Sequence, residues 1–252
     1  MSTEMPRLRS DDPLAAEFTA VLKAGEAERL CALLASHPGL ATCVVEDAKG
    51  GGRTPLHLLA DWPGHNPNAA AIVQILAAAG TDLDAPAVAM WHREAPLHWA
   101  ASCDDVALID ALLDAGADIE HEGSSIDGAS PLSSAVGYGQ WAAARRLVDR
   151  GARTQLWHEA ALGMMPEITG RFAAAAVPAD ELSGPFWNAC HGGQLAAARY
   201  LLERGADLNW PAPWSGQTPL DIAEQADRRE VVTWLLERGA IRAQKSSGPD
   251  AD

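Results

Sequence analysis

The chain has 252 residues, 48% of them hydrophobic, and a formal net charge of −15. That balance argues against recognition of phosphates by Lys and Arg, so neither nucleic acid nor an anionic membrane surface is an expected partner. No apolar run reaches the roughly 18 residues of a membrane span, and the opening segment MSTEMPRLRSDDP lacks the apolar centre of a signal peptide.

The four cysteines, Cys31, Cys43, Cys103 and Cys190, form no C-x-x-C pair, which fits reduced thiols and a cytoplasmic setting. Alanine, leucine and arginine are abundant and lysine is scarce, a usage associated with GC-rich bacterial genomes.

In chain order, residues 1 to 13 are polar and read as a flexible arm. Two helical stripes follow, one with Phe18, Val21 and Leu22 and one with Leu30, Leu33 and Leu34, parted by Gly25. Residues 43 to 53, CVVEDAKGGGR, read as a long connection, because successive glycines resist ordered structure. A second pair of helices opens at Thr54-Pro55-Leu56-His57. Its helices are separated by an insertion, Asp61 to Asn68, with turn-forming residues around Trp62 and His65. Insertions on a rigid scaffold are where binding tends to be placed.

The clearest pair is APLHWAASCDDVALIDALLDAGAD, residues 95 to 118. Pro96 suits a first helical turn, since its missing N–H would be unsatisfied there anyway. Leu97, Ala100 and Ala101 line one apolar face. Asp104 and Asp105 break the first helix and put negative charge at the start of the second. Val106, Ile109, Leu112 and Leu113 form the second stripe, which Gly116 ends in the left-handed conformation. The segment before this pair, APAVAMWHREAP, puts Trp91 and His92 near a hairpin tip. Ile126 holds the equivalent place before the fourth pair at Ser130-Pro131.

The fifth pair is degenerate. After Gly151-Ala152 the chain reaches LWHEAALG almost at once, with Trp157 and His158 at the head. The sixth begins at Gly184-Pro185-Phe186-Trp187 and runs into a proline-stiffened hairpin containing Trp210 and Trp214. The seventh, from Thr218-Pro219-Leu220-Asp221, has the charged outer face of an end cap. Residues 243 to 252 read as a disordered tail.

One interval ties the pairs together: Ala100 to Gly116 spans 16 residues, as do Ala135 to Gly151, Ala189 to Gly205 and Ala223 to Gly239. Such a pair cannot bury both apolar faces alone, so copies must stack. With the heads quoted above and the tails GADIE, GADLN and GTDLD, the chain resembles the ankyrin repeat, whose signature centres on T-P-L-H-x-A. The resemblance covers roughly residues 14 to 242. It implies an all-α ankyrin-repeat solenoid of about seven helix-turn-helix units with β-hairpin fingers, the units starting near 14, 54, 95, 130, 155, 184 and 218.

Signatures of catalysis are missing: there is no G-x-S-x-G, Walker loop or H-E-x-x-H spacing, so no catalytic residue, metal or cofactor is expected. The resemblance implies a structural role for His57 and His98, ordering the hairpins. Trp99, Trp157, Trp187 and Trp234 lie in helical stripes and read as core or stacking residues. Trp91 and Trp214 each stand five residues before a head proline, at the tip, as Ile126 does. The resemblance further nominates the row along the concave helix face, Asp61 and Trp62, Ser102 and Cys103, Gly137 and Tyr138, and His191 with Gly192, in which Tyr138 and His191 are the strongest candidates. The expected partner-binding set is therefore Trp62, Trp91, His92, Ile126, Tyr138, His191 and Trp214.

The resulting expectation is a non-catalytic protein, monomeric when free, that binds another protein through fingertips and concave face, with a basic surface on the partner. Two alternatives stand beside it: a small-molecule binder or enzyme using a pocket of Trp62, His65, Trp91 and His92, and an antitoxin or immunity-like inhibitor of a basic partner.

Overall fold

The computed structural model describes residues 6–90, 92–126 and 128–244. Trp91 and residues 245–252 of the tail lie outside the described residues. The chain divides into two compact units, 1–153 and 154–252.

The first unit contains α1 (Pro13–Ala24), α2 (Ala27–Ser36), α3 (Pro55–Ala60), α4 (Ala69–Ala78), α5 (Pro96–Ser102), α6 (Val106–Ala115), α7 (Pro131–Gly137) and α8 (Trp141–Asp149). The first helix of each pair packs on the next in the order α1, α3, α5, α7, and the second helices do so in the order α2, α4, α6, α8. Leu56, Leu97 and Leu132 are buried behind the head prolines, and the fully buried Ala100, Ala101 and Ala135 let the short helices approach closely.

Local chemistry sets each boundary. Thr54 caps α3, and Asp105, buried at 1% exposure, caps α6 by accepting from Leu108 N at 3.0 Å. Asp104 takes a left-handed φ of 56° and reaches across to α8, accepting from Ala143 N at 2.7 Å. The two aspartates thus cap two different helices. Outer helices are also joined by ion pairs: Asp110 meets Arg146 at 2.7 Å and Arg150 at 2.8 Å.

The head histidines tie the fingers to the helices. Glu94 O lies 3.0 Å from His57 Nε2, and a carbonyl can only accept, so the ring proton sits on Nε2 and Nδ1 accepts from the Thr54 hydroxyl at 2.7 Å. His98 repeats the arrangement, accepting from Ala95 N on Nδ1 at 3.1 Å and donating from Nε2 to Ala129 O at 3.2 Å. Both rings are consumed by structure, and burial holds His57 down at about 4.

Two segments are more ordered than their composition suggests. The arm expected over residues 1 to 13 is fixed from Arg7 onward: β1 (Arg7–Arg9) pairs in parallel with β2 (Val44–Glu46), and Arg7 forms an ion pair with Glu46. Asp12 then caps α1, accepting from Leu14 N at 2.8 Å. The glycine-rich connection is a hairpin in which β2 pairs antiparallel with β3 (Gly52–Arg53). Asp47 orders its turn, Oδ1 accepting from Lys49 N at 2.8 Å and Gly51 N at 3.0 Å. Gly52 exchanges backbone hydrogen bonds with Val88 at 2.8 Å. A Cβ here would overlap Val44 Cγ1 and stand 3.0 Å from Val88 Cβ, so only glycine permits this approach.

The second unit contains α9 (Leu156–Leu162), α10 (Met165–Ala174), α11 (Ser183–Gly192), α12 (Leu195–Leu202), α13 (Pro219–Gln225) and α14 (Arg229–Glu237). Its core gathers Ile168, Phe186, Leu201, Leu220, Val231 and Leu235, with the Phe186 ring edge-on to Trp234 at 6.3 Å. The degenerate fifth pair keeps its head chemistry: Gln155 N donates to His158 Nδ1 at 3.1 Å. Glu159 is buried and held by both ends of the Arg171 fork, at 2.7 and 2.8 Å. At the seventh head Asp221 replaces histidine and accepts from Thr218 N at 2.8 Å. The start of the expected tail is anchored too, since Ala243 N donates to Asp221 Oδ2 at 2.9 Å.

Candidate binding surface

In the second unit the finger between α12 and α13 is closed by Ala212 N donating to Gln217 O at 2.9 Å and stiffened by Pro211 and Pro213. At its tip Trp214 is 62% exposed, yet it is not loose. Its ring meets Trp187 at 5.4 Å and Trp210 at 5.7 Å, both near-perpendicular contacts of the kind aromatic quadrupoles favour.

Trp187 explains why the platform is there. It occupies the head position that His57 and His98 fill in the first unit, and its Nε1 donates to Gln217 O at 3.0 Å. Glu94, Ala129 and Gln217 are equivalent residues, each immediately before the next head, so the indole makes the hydrogen bond that the imidazoles make elsewhere. The larger ring reaches further, touching Trp214 on one side and His191 at 5.5 Å on the other. Burial, with Arg228 nearby, pushes His191 down to about 4, so its ring is neutral at physiological pH. The result is an uncharged aromatic ledge of Trp187, Trp210, Trp214 and His191.

In the first unit the nominated residues are dispersed. Trp62 is 79% exposed because the insertion around it is fastened on both sides. His65 N donates to Asp105 Oδ2 at 2.6 Å, His65 Nε2 to Cys103 O at 3.0 Å, and Asn68 Nδ2 to Gly25 O at 3.1 Å. Tyr138 is 52% exposed at the end of α7, its hydroxyl 3.0 Å from Ser125 Oγ.

Two of the nominated fingertip residues are less exposed than Trp214. Ile126 is half-buried and folds over the end of α7 against Gly137, where no side chain competes for the space. His92 is also half-buried, its Nδ1 3.2 Å from Glu94 Oε2, because buried Glu94 draws the ring inward while accepting from Ser125 N at 2.8 Å. Trp91, beside it, lies outside the described residues. The ring of His65 is engaged with Cys103 and that of His92 with Glu94. Sequence reasoning missed that Trp187 stands in for a head histidine; the signal was its place as fourth residue of Gly184-Pro185-Phe186-Trp187. Among the described residues no group of three or more His, Cys, Asp or Glu could hold a metal ion, and no helix is long and apolar enough to cross a membrane.

Comparison with known proteins agrees with this architecture. Residues 157–245 match the family model for ankyrin repeats in three copies, and residues 92–121 match that for an ankyrin repeat. An ankyrin repeat and KH domain-containing protein of Caenorhabditis briggsae is 33% identical over a stretch covering 43% of this chain and 5% of that protein. The chain therefore spans only a small fraction of that relative's length.

Proposed function

The chain carries ankyrin repeats, which generally mediate protein–protein interaction, and from that premise we propose that it is a non-catalytic protein that grips a protein partner through the aromatic ledge of its second unit. The observation that carries this reading is Trp214, which combines high exposure with two fixed aromatic neighbours. An exposed ring already held in place gives up little conformational freedom on binding, and Trp is the residue type most enriched at interface hot spots. Tyr138 and Trp62 offer further exposed aromatic surface on the first unit. The net charge of −15 favours a partner with a basic surface, through faster encounter more than tighter final binding.

The test is to recover the partner with the wild-type chain, purify it, and compare affinities. Trp214→Ala should fold and melt as wild type, since its ring is largely in solvent, and should bind about thirtyfold more weakly, the ~2 kcal/mol of a hot spot. Unchanged affinity would remove the ledge from the interface. Raising salt should slow association while leaving dissociation nearly constant.

A further inference from the structure

The aromatic ledge of the second unit has hydrogen-bonding capacity of one sign. Trp187 spends its Nε1–H on Gln217 O, but neither Trp210 nor Trp214 donates its Nε1–H to a protein acceptor among the described residues. Both rings reach solvent, Trp210 half-buried and Trp214 exposed. The carbonyls that close the same finger are filled: Gln217 O accepts from Ala212 N at 2.9 Å as well as from Trp187, and Ala212 O accepts from Ser215 N at 3.2 Å and Gly216 N at 2.7 Å. An indole nitrogen only donates and a carbonyl has two lone pairs, so the fingertip presents free donors beside filled acceptors.

That imbalance selects the backbone of an occupant. A helix keeps its carbonyls on its own amides and has none to give along its length. A β-strand brings an N–H with nearly every carbonyl, and those donors need acceptors in turn. A proline-rich segment fits: polyproline II has no internal hydrogen bonds, so its carbonyls are free, and each proline lacks an N–H. The rings agree with this. Trp214 stands at 82° to Trp187 and at 68° to Trp210, so neighbouring indoles meet in a corner and do not enclose one point, as a cage for a quaternary ammonium would. A pyrrolidine ring packs into such a corner, and the preformed polyproline helix loses little freedom on docking.

Charge narrows the segment further. The ledge is uncharged, and Trp210 lies over the start of α11, where a Cβ on Gly184 would stand 3.8 Å from its Cη2. The single turn leading into that helix, Ala179–Glu181, exposes Asp180 and Glu181, neither of which is in an ion pair among the described residues. An apolar row bordered by unpaired carboxylates complements prolines flanked by a lysine or arginine.

We propose that the ledge binds a proline-rich segment of the protein partner in the polyproline II conformation, its carbonyls accepting from Trp210 and Trp214 Nε1 and a flanking lysine or arginine facing Asp180 and Glu181. The inference rests on the reading of the ledge as the partner site and adds the chemistry of what the ledge grips.

The experiment is a ¹H–¹⁵N NMR titration of the full chain with acetyl-Arg-Ala-Pro-Pro-Ala-Pro-Pro-Ala-amide, following the indole N–H cross-peaks, with those of Trp210 and Trp214 identified by their loss in Trp210→Phe and Trp214→Phe. The proposal expects these two to move saturably as they gain an acceptor, while the Trp187 cross-peak, already bonded to Gln217 O, stays close to its place. Trp214→Phe keeps a ring and removes the donor, and should weaken peptide binding about fivefold, the scale of one hydrogen bond. Asp180→Asn combined with Glu181→Gln should weaken it about threefold, and should leave binding of the peptide with alanine in place of arginine unchanged. The proposal is overturned if the peptide with every proline replaced by alanine binds equally well, if acetyl-Gly-trimethyllysine-Gly-amide moves the same cross-peaks as strongly, or if neither indole responds to the proline peptide. The two readings fail separately: partner binding weakened by Trp214→Ala with no response to the proline peptide sinks this inference and keeps the ledge as the interface, whereas unchanged partner affinity in Trp214→Ala sinks the ledge itself.

Discussion

The head of the repeat is built in two ways. In residues 1–153 the neutral rings of His57 and His98 each accept a hydrogen bond on Nδ1 and donate one from Nε2 to the carbonyl before the next head. In residues 154–252 the indole of Trp187 makes the same donation to Gln217 O, with no ring nitrogen that accepts. The contrast teaches that an indole can supply the donor that the imidazoles supply, aimed at the equivalent carbonyl. It does so without titrating, and its extra ring builds the ledge on which Trp214 rests.

Removing the donor should have the largest effect. Trp187→Ala deletes a ring only 6% exposed together with its hydrogen bond, and should cost the second unit about 3–5 kcal/mol in urea unfolding. Trp187→His sharpens the test, because imidazole restores a donor without the platform. It should recover all but about 1–2 kcal/mol and shift Trp214 emission to the red as its support disappears. If the histidine variant is as unstable as the alanine variant, the equivalence between the two head residues is wrong.

Acid should act on the His57 head next. With His57 held at about 4 against an ordinary value of 6.5, its contribution is fully present above pH 6.5 and is lost as pH falls toward 4. At most about 3 kcal/mol is at stake. An NMR titration should find the His57 ring neutral down to about pH 4, and His57→Gln, which keeps a donor and an acceptor, should flatten the acid loss of stability. Trp187 has no counterpart to this sensitivity.

A smaller effect is expected at Gly52, in the three-stranded patch of the first unit. Gly52→Ala should cost about 1–3 kcal/mol through overpacking against Val44 and Val88. Trypsin should then cut sooner after Arg7 and Arg9, because the variant weakens the strand that holds them. Unchanged cleavage would mean that β1 is held by something other than β2.

The repeating frame was legible because it is written locally. Proline at the first helical turn, alanine on the inner face and glycine at the helix end recur at one interval, and each acts on its own few residues. What escaped depends on distant partners. Nothing near Arg7 to Arg9 announces that Val44 to Glu46 will pair with it, and the glycines at 50 to 52 read as disorder until Asp47 is seen bonding across them. Asp104 looks like part of the α6 cap although it serves α8. Exposure was the least legible property: Trp214 and Ile126 share an offset from the head proline, but Gly137 gives Ile126 room to fold inward, whereas Trp187 and Trp210 support Trp214 in the open.

The measurement that tests the central claim most directly is amide hydrogen exchange of the free chain against the chain saturated with its purified partner. The aromatic ledge as binding site predicts new protection concentrated in residues 209 to 217, with the end of α11 around His191 following. Protection confined to the outer helices α10, α12 and α14, with the finger exchanging as in the free chain, would contradict it.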